Sequence, residues 1–189
     1  FYLYQEAFKH GNSKNLRIDA GLGIVNLHIA KGDLEAAEEK CVELIQEAPN
    51  VLEYQIKSAQ ILFYQGEFDQ TDSRLWEIIE KLPMDDIAVN DILDVMAVLI
   101  GFRHNQEEFP EFTKVQLNIQ QNKRTEAMEK LESLFDTNEI YIADMCRYQH
   151  AWLTFLQGDT DSAKVYLTEI VNETIFMELA HIFQAEILD

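Results

Sequence analysis

The chain has 189 residues, with 15 Lys and Arg against 34 Asp and Glu, giving a formal net charge of −19. Hydrophobic residues make up 47%, while the seven Gly and three Pro are too few for a turn-rich all-β protein or a disordered one. The acidic balance excludes nucleic acid as the main ligand and docking on an anionic membrane, because both rest on Lys and Arg.

Phe1–His10 reads as a helix ended by Gly11, so that residues 1–12 form the remnant of a preceding repeat. With no initiator Met and no basic leader segment, the chain reads as a piece of a longer protein. From there the sequence repeats itself. Ala30-Lys31-Gly32-Asp33-Leu34, Tyr64-Gln65-Gly66-Glu67-Phe68 and Leu156-Gln157-Gly158-Asp159-Thr160 look alike, and Gln120-Gln121-Asn122-Lys123-Arg124 has Asn where the others have Gly. Gly and Asn tolerate the left-handed conformation that ends one helix and lets the next begin. The intervals are 66 − 32 = 34, 122 − 66 = 56 and 158 − 122 = 36, so the middle one is a repeat of 34 plus 22 extra residues.

The flanks repeat too. Five residues after each turn come Ala37, Thr71, Ala127 and Ala163, small side chains where two helices approach closely. Nine after come Cys41, Leu75, Leu131 and Leu167, and twelve after come Leu44, Ile78, Leu134 and Ile170. Seven before stand Val25, Ala59, Val115 and Ala151. Spacings of three and four on both sides of a turn place an apolar stripe on each of two helices. Pro49 and Pro83 each lie seventeen residues past a turn and close the second helix. The unit is a helix–turn–helix of about 34 residues.

On these residues the chain resembles the tetratricopeptide repeat (TPR) family. The match covers Ile18–Val51 (18–51), Leu52–Asp85 (52–85) and Asp144–Met177 (144–177), with a degenerate repeat over Glu108–Tyr141 (108–141) that has Lys114 and Asn118 at family apolar or small positions. No repeat has Trp early in its first helix. The resemblance implies an all-α fold, a right-handed α-solenoid of TPR-like repeats. Between the second and third repeats, residues 86–107 supply an extra amphipathic helix over Asp86–Phe102, with Val89, Ile92, Leu93, Met96, Leu99 and Ile100 at helical spacing, and a polar loop; Pro110 opens the next helix. Thr174–Leu188 reads as a helix capping the last repeat, within 174–189. The other pairing, with Asp86–Phe102 as a first helix and Pro110–Gln120 as its partner, stays open at this level.

Catalytic chemistry is not visible. None of His10, His28, His104, His150 and His181 has a second ligand at metal spacing, and Asp85, Asp86, Asp91 and Asp94 lack the Gly-centred loop of a calcium site. Gly21-Leu22-Gly23 has no strand before it and no GK[ST] after it, so it is not a phosphate loop. Cys41 and Cys146 are too few and too far apart for a disulfide scaffold, and Cys41 reads as a buried inert thiol. The chain is expected to be non-enzymatic and without cofactor or metal.

In the family, the first helix of each repeat lines a concave binding surface. The resemblance assigns to it Asn26 in repeat one; Ile56, Gln60, Phe63 and Tyr64 in repeat two; Phe112 and Gln116 in repeat three; and Tyr148, Gln149, Trp152 and Phe155 in repeat four. Aromatic, aliphatic and amide side chains with few charges suit the recognition of an apolar helix or extended segment of another protein. Chaperone-docking members grip a carboxylate with Lys, Asn and Arg; at the matching places stand Leu22, Asn26, Lys57, Phe109 and Thr113, of which Asn26 alone fits. The expected function is a protein–protein interaction scaffold or adaptor in a larger assembly, with no nucleic acid and no membrane insertion. The alternative is the regulatory arm of a multidomain enzyme or signalling protein. Unpaired thiols favour the cytoplasm over the periplasm or envelope.

Overall fold

The computed structural model describes residues 1–83 and 85–187. Leu188, the last residue of the expected capping helix, lies outside the described residues. Among those described there are eleven helices and no strand, so the protein is all-α. They are α1 (Tyr2–His10), α2 (Lys14–Lys31), α3 (Leu34–Glu47), α4 (Leu52–Gln65), α5 (Phe68–Ile79), α6 (Ile87–Phe102), α7 (Phe109–Gln120), α8 (Arg124–Glu132), α9 (Ile140–Leu156), α10 (Thr160–Thr168) and α11 (Ile175–Glu186). No helix among the described residues is long and apolar enough to cross a membrane.

The four turns are made the same way. Gly32, Gly66 and Gly158 have φ of 79°, 77° and 89°, and Asn122, at 58°, is the non-glycine residue with positive φ among the described residues. At each turn the next residue's N–H reaches back five positions: Asp33 to the His28 carbonyl (3.0 Å), Glu67 to Leu62 (3.1 Å), Lys123 to Asn118 (2.8 Å) and Asp159 to Thr154 (3.3 Å). This closure satisfies carbonyls that the ending helix leaves open. Asp33 and Asp159 then cap the following helices by accepting from the N–H of Ala36 (3.2 Å) and Ser162 (3.0 Å). Glu67 and Lys123 adopt the same backbone conformation without a side-chain cap.

The sixteen positions that recur around the turns are all buried. Ala37, Thr71, Ala127 and Ala163 are fully enclosed, and the Thr71 hydroxyl donates to the Glu67 carbonyl at 2.7 Å, which lets a polar residue fill an alanine place. The helices pair as hairpins α2–α3, α4–α5, α7–α8 and α9–α10. α7 packs on α8, while Phe102 at the end of α6 also reaches α7 through Phe109 and Phe112.

The chain divides into two compact units, Phe1–Ala97 and Val98–Asp189, with the division inside α6. In the first, α1 packs on α2, α3 on α4, and α2 also touches α4. Gly21 and Gly23 are packing residues of α2: a β-carbon on Gly21 would lie 2.9 Å from Leu44 Cδ2 and 3.2 Å from the Tyr54 hydroxyl, and one on Gly23 would collide with the Tyr4 ring. In the second unit, α8 packs on α9 and α11 on both α9 and α10. Phe102, at the end of α6, is fully buried with its ring 5.6 Å from Phe109 and 5.2 Å from Phe112. Within this unit Asp144, also fully buried, accepts from Asn172 Nδ2 (3.1 Å) and the Thr174 hydroxyl (2.9 Å), with Arg147 Nη1 3.7 Å away. The carboxylate ties the α10–α11 loop to α9.

Candidate protein-binding face

Eleven residues were expected on one face, and burial sorts them. In the first unit Asn26 is exposed, while Ile56 and Gln60 are half-buried. Gln60 sits between two neighbours on α4, its Oε1 accepting from Lys57 Nζ at 2.5 Å and its Nε2 donating to the Tyr64 hydroxyl at 2.9 Å. Burial lowers the Lys57 pKa and raises that of Tyr64.

Three of the expected residues are core. Phe63 and Tyr64 are each 8% exposed because α4 ends in four consecutive buried residues, Ile61 to Tyr64, enclosed all round rather than along one stripe. Phe112 is 1% exposed, its ring lying against Phe102 of the extra helix. These side chains are corrected from surface to packing positions.

In the second unit, Gln116 Nε2 donates to Gln149 Oε1 at 2.7 Å, joining α7 to α9 through half-buried amides. Tyr148, Trp152 and Phe155 stand on the side of α9 that α11 covers. Phe183 of α11, itself buried, has its ring 6.1 Å from Tyr148, 5.2 Å from Trp152 and 5.4 Å from Phe155, and Phe176 lies 5.9 Å from Tyr148. Burial, with Glu186 adding to it, raises the Tyr148 pKa. The chain's own terminal helix therefore fills much of this aromatic wall, and among its aromatics on α9 Trp152 stays 45% exposed.

A register emerges that the list of candidates did not display. The residue six places before each turn is Asn26, Gln60, Gln116 and Trp152, and none of the four is buried. The residue immediately before each, at Val25, Ala59, Val115 and Ala151, is at most 1% exposed. One helical step thus separates a core position from an outward one carrying three amides and an indole, all uncharged.

The cysteines are buried thiols. Cys41 donates from Sγ to the Tyr54 carbonyl at 3.3 Å, and burial pushes its pKa to about 11. For Cys146, burial pushes it to about 12. Neither is poised as a nucleophile. Among the described residues no group of three or more His, Cys, Asp and Glu is placed to hold a metal ion. His150 is buried, beside a carboxylate at the edge of a cleft. Its signal was faint: Glu132 and Tyr166, which meet it there, are separated by the repeat length of 34.

No family model matches the chain, and no curated protein or solved structure does either.

Proposed function

We propose that the four hairpins form a TPR-type α-solenoid, with α6 as an inserted helix and α11 as a cap, acting as a non-catalytic scaffold that binds segments of other proteins. The observation that carries this is the uncharged outward register of Asn26, Gln60, Gln116 and Trp152 in a protein of net charge −19. Depletion of charge with enrichment in amide and aromatic groups distinguishes a recognition patch from ordinary surface. Asn26 supplies a donor and an acceptor for the backbone of an extended segment, Gln60 and Gln116 supply the hydrogen-bonding capacity that their bonds to Lys57, Tyr64 and Gln149 leave over, and the half-exposed indole of Trp152 supplies apolar area with a hydrogen-bonding tip. The acidic remainder of the surface speeds encounter with basic partners and makes it sensitive to salt.

The test compares the wild type with an Asn26→Ala, Gln60→Ala, Gln116→Ala, Trp152→Ala variant in pull-downs from native extract, after circular dichroism shows the variant folded. Loss of specific partners from the folded variant is the expected result. An unchanged partner list would sink the proposal.

A further inference from the structure

The charge of −19 is not spread evenly. Residues 1–31 hold Lys9, Lys14, Arg17 and Lys31 against Glu6 and Asp19, a balance of 4 − 2 = +2. Residues 32–189 hold the other 11 Lys and Arg against 32 Asp and Glu, a balance of 11 − 32 = −21, and no Lys or Arg follows Lys164. The first helices and the last one therefore carry opposite signs.

Each of α1 and α11 also bears apolar side chains on the side turned away from its packing neighbours. The inner side of α1 holds Phe1, edge-on to His28 at 5.4 Å, Tyr4, packed against Gly23, and Phe8, whose ring lies 4.5 Å from Lys40 Nζ. Helical register puts Tyr2 and Leu3 on the other side, 69% and 80% exposed, with the exposed Lys9 and His10 two turns on. On α11, Ala180 and Phe183 are buried, while Ile175 and Ile182 stay 58% and 57% exposed with Leu179 half-buried between them. Steps of four and three make these three one stripe, and Glu178 and Glu186 stand exposed on the same side. Among the described residues none of Lys9, Glu178 and Glu186 has an ion-pair partner.

The two faces match in register as well as in charge. Tyr2 to Lys9 and Leu3 to His10 are steps of seven residues, and so is Leu179 to Glu186. Each step is about two turns, or about 10 Å along the helix axis. Laid side by side in the same direction, α1 sets Tyr2 and Leu3 on the α11 stripe and brings Lys9 to Glu186. A contact of α11 with a second α11 would instead set carboxylate against carboxylate.

We propose that α1 of one copy of this chain docks on α11 of a second copy, with Tyr2 and Leu3 against Ile175, Leu179 and Ile182, and Lys9 paired to Glu186. The two surfaces differ, so the contact is heterologous: each docked copy keeps its own α11 for the next, and copies add in a row or close in a ring. Two single-helix faces are small for an interface, and the association is weak, on the order of 10–100 μM. None of the outward-register residues takes part, so the contact stands whether or not that register binds anything.

Sedimentation equilibrium of the full chain at low salt, from about 5 μM to about 1 mM, is the test. The expected average mass rises with concentration above that of one chain. Leu3→Asp and Ile182→Asp change exposed positions, and circular dichroism checks that each variant is folded. Each should stay monomeric where the wild type associates, while their equimolar mixture forms a dimer and nothing larger, because one supplies an intact α11 and the other an intact α1. Glu186→Lys should weaken association by about tenfold, and Lys9→Glu added to the same chain should restore it. A wild type still monomeric at about 1 mM would overturn the proposal and leave the α11 stripe to a helix of another protein. A mixture that stays monomeric, or association that persists in either single variant, would overturn the pairing of α1 with α11. No effect of Glu186→Lys would overturn its pairing with Lys9.

Discussion

Gly158 isolates the energetics of the turn that the chain uses four times. Its φ of 89° lies in the left-handed region, and a β-carbon added there meets no atom within 4 Å. Gly158→Ala therefore introduces backbone strain and nothing else. Placing an L-residue in that region costs roughly 1–2 kcal/mol. Ala also narrows the unfolded ensemble, which returns about 0.4–1 kcal/mol. The net loss is about 0.8 kcal/mol at the midpoints and about 1.6 kcal/mol at most, or about 2–6 °C in melting temperature for a chain of this size. Gly158→Asn should lose less than Gly158→Ala, because Asn122 already occupies the equivalent place at φ 58°. Thermal melts followed by circular dichroism at 222 nm, with urea titrations alongside, measure both. A Gly158→Ala protein that melts at or above the wild type would refute the reasoning, and so would an Asn variant as damaged as the Ala variant.

Three further outcomes are expected. Asp144→Ala strips the partner from Asn172, Thr174 and Arg147 at a fully buried position and should destabilise the second unit by about 3 kcal/mol, with Asp144→Asn milder; urea titration reads it, and a change under about 0.5 kcal/mol would remove the carboxylate from its role as a tie. Cys41 and Cys146, with thiols held at about 11 and about 12, should not react with a disulfide reagent at pH 8 within minutes in the native protein, and both should react in urea; quick native labelling contradicts their burial. The same shifts make stability fall as pH rises above about 9, since the unfolded chain releases these protons first and the native chain retains them until its higher values are reached.

Much of the fold was legible because its signals are local. A left-handed turn needs Gly or Asn at one place, a close helix approach needs a small residue five places on, and an amphipathic helix repeats its apolar residues at three and four; each condition acts within a few residues and leaves its mark on the sequence. Ala37, Thr71, Ala127 and Ala163 show how closely the marks track burial. The candidate face was legible only by register, as first-helix positions. Which of those side chains stay outside was decided by tertiary packing: α11 brings Phe183 onto the wall around Trp152, Phe102 closes over Phe112, and the end of α4 is enclosed on every side at Phe63 and Tyr64. The cleft was legible least of all. It depends on Glu132, His150 and Tyr166 arriving from three helices, and the approach of His150 Nε2 to Glu132 Oε1 at 3.3 Å follows from how those helices pack, which no spacing along the chain encodes.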